Sequence, residues 1–316
     1  MSPENLEFVV LAAGKSTRNY PHSKGIPHKS LVPFGSIKVI DFVMKQIILA
    51  GGKHVTIVVA DEAAVNAFKQ CFAHEPEIEA KFEAKGKTQA LNLLRKLYIP
   101  EDVEVKYLIQ EKPRGTGHAV GRVYNQIRNT GRNIVMIWPD DVVLSDKTKT
   151  NEDSCIYKRA VDKYIEMGCK GNLGITRPVE DPSRWGIIDE GYFKEKPKES
   201  KSNQAAFGLF IFDKKVCEKL YQSSVAMDEG KEVDGLVGGE LAFAAALNST
   251  IDEDPKVQKI HSIPMLDSDM YLDCGSIEGY EKALLYTLLA ESEFKDDNLR
   301  FIKPIVDKLW SKKENK

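Results

Sequence analysis

The chain has 316 residues, 42% hydrophobic and 29% charged, which supports one large core or two unequal ones and excludes a disordered chain. Lys and Arg number 45 against 47 Asp and Glu, a formal net charge of -2, so no global basic field marks a nucleic-acid or anionic-membrane partner. Cys71, Cys155, Cys169, Cys217 and Cys274 are scattered without a Cys-x-x-Cys pair, which excludes a zinc module and fits a reducing cytoplasm.

The first apolar run, Phe8–Ala13, is too short for a signal peptide or membrane span and reads as a strand. His54–Ala60, Val103–Gln110, Asn133–Trp138 and Leu173–Arg177 read the same way. Amphipathic stretches at Ile40–Ala50, Glu62–Phe72, Gly117–Arg128 and Ser154–Gly168 lie among them as helices. The alternation predicts a Rossmann-like, doubly wound α/β fold with a parallel sheet, whose ligands sit at the carboxyl ends of its strands. After Arg177 the pattern turns to short strands at Trp185–Asp189, Gly191–Lys194 and Ala205–Phe212, a smaller β-rich extension that makes the sheet mixed. A helix is expected over Asp234–Asn248, then a strand near Gln258–Met265, a loop to Gly275, a helix Ser276–Ala290 and a lysine-rich helical tail. The expected division is a catalytic unit over 1–292, split near residue 177, and a tail over 293–316.

At the end of the first strand, Gly14-Lys15-Ser16-Thr17-Arg18 offers backbone amides, hydroxyls and cations, a phosphate-binding composition. A P-loop would need glycine five positions before Gly14, where Val9 stands. Lys24 and Lys29 add charge along the loop that follows, so Arg18 and Lys29 have electrostatic work available on bound phosphate. Ser16 suits this loop if its torsions are ordinary, since only a positive φ would demand glycine.

Gln110 ends a strand ahead of Gly115-Thr116-Gly117-His118; its amide can donate and accept together, as pairing with a pyrimidine edge requires. Taken alone, Gln110 is a surface glutamine, and His118 reads equally as structural or functional. Asp140 and Asp141 emerge at another strand end, and magnesium prefers one or two carboxylates completed by phosphate oxygens and water. Asp141 could instead cap a turn, and Asp273 could be a helix cap. Glu195 and Lys196 belong to a charge run that by itself reads as a solvated loop.

Leu11–Arg18 with Lys29-Ser30-Leu31-Val32-Pro33 resembles the signature of the sugar-1-phosphate nucleotidyltransferases, in particular the bacterial UTP–glucose-1-phosphate uridylyltransferase group. The resemblance runs from about Glu7 to Ala290 and is weak through Ala73–Asp102. It implies that Ala12, Ala13, Gly14, Lys15, Ser16 and Thr17 wrap a triphosphate, with Arg18 and Lys29 polarising it. It further implies that Gln110 and Gly115 read the base and that Asp140 and Asp273 bind Mg²⁺. Gly186, Glu195 and Lys196 match its sugar-phosphate motifs, and Gly208 lies on a further sugar-facing strand.

The chain departs from the family pattern at Ser16, Pro139, Cys274 and the pair Ala244-Ala245, and in the spacing of Pro21 to Pro33. The expected partners are an NTP and a sugar 1-phosphate, UTP and glucose 1-phosphate first, with no nucleic acid or membrane; a homo-oligomer is compatible. The alternatives are dTTP, CTP or GTP with another phosphorylated sugar or alcohol, or a regulatory protein that binds nucleotide sugar without turnover.

Overall fold

A computed structural model describes residues 2–144 and 155–314. Strand Leu6–Ala12 lies at the centre of the sheet, parallel to His54–Val59 on one side and to Asn133–Ile137 on the other, and Glu104–Ile109 continues the parallel order. From Phe8 on its residues are apolar without alternation because both faces are covered, while the buried Glu7 accepts from Thr56 Oγ1 and Arg132 Nη1. Phe8, Val10 and Ala12 join one core cluster, while Val9 joins the other. Helices Val39–Leu49, Glu62–Phe72 and Ile156–Glu166 supply the first cluster; Thr116–Ile127, Lys214–Asp228 and Phe243–Glu253 supply the second. The doubly wound arrangement is as the periodicity predicts. Ser154, the expected start of one helix, lies outside the described residues.

The later strands are not a separate sheet. Gln204–Phe212 runs antiparallel to Asn172–Pro178 along one edge and to Gly186–Asp189 and then Asn133–Ile137 along the other, with Ile260–Pro264 and Tyr192–Glu195 extending the sheet beyond Asn172–Pro178 and Gly186–Asp189. Among the described residues nine strands thus form one mixed sheet, as the short strands after Arg177 imply. The register of Gln204–Phe212 against Asn172–Pro178 shifts between Phe207 and Phe210, at a bulge where Gly208 takes φ +64°.

Two expected elements differ. Residues 234–242 form not a helix but a hairpin, Leu236–Val237 against Glu240–Leu241, with the helix beginning at Phe243. Gly235, Gly238 and Gly239 all adopt positive φ there, which favours a turn over helix. The expected loop before Gly275 contains strand Met270–Asp273, antiparallel to Asp141–Leu144, so that Asp273 pairs with Asp141. Residues 73–102, unassigned by periodicity, hold helices Pro76–Ala84 and Thr88–Arg95 outside the sheet. The C-terminal helix is present as Lys295–Glu314. Among the described residues no helix is long and apolar enough to cross a membrane.

Helices Thr116–Ile127 and Lys214–Asp228 touch where Gly121 lies against a backbone carbonyl. A methyl at Gly121 would overlap Leu220 O and stand 2.8 Å from Ser224 Oγ. Gly121→Ala should therefore lower stability by about 2 kcal/mol through overpacking, although alanine favours helix. Urea denaturation reads this, and an unshifted midpoint would contradict the close approach.

Candidate active site

The strand ends open onto a cavity of about 700 Å³. Of the residues singled out in the sequence, Ala13, Gly14, Lys15, Thr17, Arg18, Lys29, Gln110, Gly115, Asp140, Gly186, Glu195, Lys196 and Asp273 line it. Ala12, Ser16 and Gly208 do not; they support residues that do. Lys24 is exposed away from the cavity, so Lys29 is the lysine of this loop that faces it.

Ser16 does not have the ordinary torsions expected of it: φ 55° and ψ 27° are left-handed. Such a conformation costs a non-glycine residue on the order of 1 kcal/mol. The side chain returns something a glycine could not, since its Oγ accepts from Lys29 N–H at 3.0 Å and ties the two loop segments together. Asn19, fully buried, joins the same loop to the opposite wall by donating to Cys274 O at 3.1 Å.

The carboxylates are placed by backbone geometry. Asp141 N donates to Trp138 O at 3.3 Å, closing a turn over residues 138–141 whose second position is Pro139, where a fixed φ is favourable. Cys274 N then clasps Asp140 O at 2.8 Å. Gly275 N and Ser276 Oγ donate to the two oxygens of Asp273 at 2.7 and 2.8 Å. The helix cap is Ser276, which accepts from Gly279 N, so Asp273 is free of that task. A methyl at Gly275 would overlap Asp140 Oδ2 and stand 3.0 Å from Asp273 Oδ1, which shows how closely the two carboxylates converge.

Three neighbouring carboxylates require compensation. Burial works against charge on Asp140, but the Lys29 ammonium, hydrogen-bonded to its Oδ2, holds it below the ordinary range. Asp141 takes the opposite course: burial, then Asp140, push it up to about 6, although Tyr271 Oη and Gly208 N donate to it at 2.6 and 3.0 Å. Asp141 is therefore a strand residue that fixes the bulge and Tyr271, not a turn cap. Gly208 contributes through that bond rather than by facing the cavity. His28 on the cavity wall is lowered to about 4 by burial and by Lys29, and its Nδ1 accepts from Ser30 N at 3.2 Å.

Asp140 and Asp273 suit magnesium: they are paired oxygen ligands, and among the described residues no cluster of three or more His, Cys, Asp or Glu competes as a metal cage. The remaining coordination would fall to phosphate oxygens and water.

On the far side, Lys196 sits beyond strand Tyr192–Glu195 with φ 44°, its N–H bound to Trp185 O at 2.9 Å, and its Nζ 4.0 Å from Glu195 Oε1. Gly186 is required by packing, because a methyl there would stand within 2.7 Å of Phe193 Cε2. Trp138, Trp185, Phe193 and Phe243 form an aromatic wall that motif reading missed. Phe243 lies 5.0 Å from Phe193, 5.3 Å from Phe210 and 5.9 Å from Trp138, centroid to centroid. The only signal in the sequence was an aromatic in a stretch otherwise of alanines. Gly115, at φ 94°, brings the loop after Gln110 against the hairpin: Leu241 N donates to Arg114 O at 2.8 Å, and a methyl at Gly115 would strike Leu241 O.

The arrangement brings the cations of Lys15, Arg18, Lys29 and Lys196, the carboxylates of Asp140 and Asp273 and an aromatic wall into one space. Residues 7–286 match the family model described as Nucleotidyl transferase. A UTP–glucose-1-phosphate uridylyltransferase of Bacillus subtilis is 26% identical over 314 residues, covering 95% of this chain and 97% of that protein. One of Haemophilus ducreyi is 25% identical, covering 96% of this chain and 100% of its own length. Among solved structures, a UDP-glucose pyrophosphorylase from Acinetobacter baumannii superposes with a TM-score of 0.75 at 22% identity, over 95% of this chain and 99% of that one. A UTP-bound structure from the same organism gives 0.74 at 21% identity, over 94% and 98%. The two structures bear on the fold, which is that of the nucleotide-diphospho-sugar transferases.

Because Asp140 is held below its ordinary value, it contributes stability that is present above about pH 4 and lost as pH falls through its folded value. Lys29→Met removes the main interaction that opposes burial of the charge and so raises Asp140. The variant should lose about 3 kcal/mol at pH 7, with the gap narrowing as pH falls from neutrality through the raised value of the variant, and further below about pH 4 where the wild type loses its own contribution. Urea denaturation at the two pH values tests both the sign and the window.

Proposed function

Because the chain belongs to the nucleotidyl transferase family, we propose that it transfers the uridylyl group of UTP to glucose 1-phosphate, giving UDP-glucose and pyrophosphate. The observation that carries this reading is the one cavity in which Gly14–Arg18 and Lys29 face Glu195 and Lys196 across Asp140 and Asp273. The relatives' names supply UTP and glucose 1-phosphate. We assign the nucleotide to the part up to about residue 177, the sugar to about 178–292, and the reaction to the cytoplasm; residues 293–316 contribute no described residue to the cavity.

The amides after Ala13 and the side chains of Lys15 and Arg18 bind the triphosphate, while Lys196 holds the sugar phosphate in line with the α-phosphorus. A phosphate oxygen is the nucleophile and is already ionised near neutral pH, so no general base is needed. Its bond to the α-phosphorus forms as the bond to pyrophosphate breaks, and Arg18 and Lys29 draw on the charge that accumulates on the leaving group. Mg²⁺, held by Asp140 and Asp273, would neutralise triphosphate charge when bound. Catalysis then rests on positioning and electrostatics.

Purified protein with UTP, glucose 1-phosphate and Mg²⁺ should release pyrophosphate; no release with that pair or with a panel of other NTPs and sugar phosphates would overturn the reading. Asp140→Asn should lower turnover at least about a thousand-fold while the circular dichroism spectrum is kept. Lys196→Ala should raise KM for glucose 1-phosphate by roughly ten- to a hundred-fold with a smaller effect on KM for UTP, as loss of a charge-assisted contact to one substrate requires.

A further inference from the structure

Beside the cavity, Asp228 at the end of helix Lys214–Asp228 gathers three side chains from the segment after Gln110. Arg114 Nη1 and Arg122 Nη1 donate to it at 2.6 and 2.7 Å, and His118 Nε2 lies 3.1 Å from its Oδ1. Burial opposes charge on Asp228, yet the bonds from His118 and Arg122 hold it below the ordinary carboxylate range, so it is ionised. An ionised carboxylate only accepts hydrogen bonds. The proton between the two must therefore sit on His118 Nε2.

The consequence passes through the ring. His118 is 4% exposed, and burial, with Arg122 and Arg114 adding to it against the pull of Asp228, holds it below its ordinary value and neutral. A neutral imidazole with its proton on Nε2 has a bare lone pair on Nδ1. The amide end of Gln110 stands 2.9 Å from that Nδ1 and 3.3 Å from Gly115 O. Both partners accept, so both demand the NH₂ end of the amide. A flipped amide would set its carbonyl oxygen against two lone pairs. Gln110 is committed as a donor on its buried side, and its carbonyl Oε1 is the end left for the cavity it lines.

We propose that Asp228, acting through His118, locks Gln110 as a pure acceptor toward the ligand, so that the site selects a base with an imino N–H donor, uracil or thymine, over cytosine. The proposal rests on the uridylyl-transfer reading for the statement that Gln110 meets the base. It changes the chemistry assigned to that residue from the sequence, where the amide was expected to donate and accept together. With Oε1 opposite N3, uracil and thymine donate N3–H to it, whereas cytosine has a lone pair there and carries its nearest donor on the exocyclic N4, so it must shift in the site to pair. Asp228 and His118 are positioning residues, since they act through Gln110.

The test separates the relay from turnover. Titration calorimetry of UTP and CTP binding should show UTP favoured by about tenfold or more in the wild type. His118→Leu and Asp228→Ala release the amide and should shrink that ratio at least about fivefold. Arg122→Met removes a bond to Asp228 but leaves the relay, and should keep the ratio. Long-range ¹H–¹⁵N spectra of the wild type should show His118 as the neutral Nε2–H tautomer. A ring protonated at Nδ1, or equal losses for both nucleotides in the two variants with the ratio unchanged, would overturn the proposal. A protein that shows the UTP preference and the tautomer but releases no pyrophosphate would keep the relay and refute the transferase reading.

Discussion

The arrangement of the site depends on keeping Asp140, Asp141 and Asp273 together against their mutual repulsion. Each is compensated differently: Asp140 by the Lys29 ammonium, Asp273 by Gly275 N and Ser276 Oγ, Asp141 by Tyr271 Oη and Gly208 N. These partners come from the first loop, the start of helix Ile277–Tyr286, the last small strand pair and the bulged sheet strand. The carboxylates therefore fix the relative position of elements that are far apart in sequence. Charge that is costly to bury becomes the reason several otherwise independent segments meet.

Lys29 illustrates how far that dependence extends. Its ammonium answers Asp140, its backbone N–H is held by Ser16, and its neighbour His28 is kept neutral partly by its charge. The Gly14–Arg18 loop and the carboxylate wall are thus coupled through one residue. Within the proposed reaction the same ammonium has to serve both the carboxylate and the phosphates.

Much of this was legible in the chain because strand ends are. Apolar runs buried on both faces announce a doubly wound sheet, and the residues that follow them, Gly14–Arg18, Gln110 and Asp140, fall at its ligand-binding edge as topology requires. What was not legible depends on contacts between segments. The hairpin Leu236–Leu241 was hidden because its alanine-rich continuation carries a helical pattern through the glycines. The strand Met270–Asp273 is too short to show a period, and its identity comes from pairing with Asp141–Leu144. Phe243 joined the aromatic wall only once that hairpin had set the start of its helix. Asp228 lies 110 residues from His118, and no local pattern could have connected them.

The departures from the family pattern bear on whether the cavity is built for turnover or for binding alone. Ser16 keeps the left-handed turn and adds a bond to Lys29; Pro139 occupies a turn position that suits its ring. Cys274 engages its neighbours through its backbone, N–H to Asp140 and carbonyl to Asn19, with its thiol buried and its ionisation pushed far up by that burial. Ala245 lies beneath Gly235, where the hairpin leaves little room for a larger side chain, and it does not line the cavity. Ala244-Ala245 stands where the resembling pattern has Thr-Asp and so lacks one carboxylate, outside the cavity lining; the substitutions at Ser16, Pro139 and Cys274 remove no charged group. A chain drifting toward mere binding would be free to lose the groups whose burial is expensive, and here each of them is retained and individually compensated.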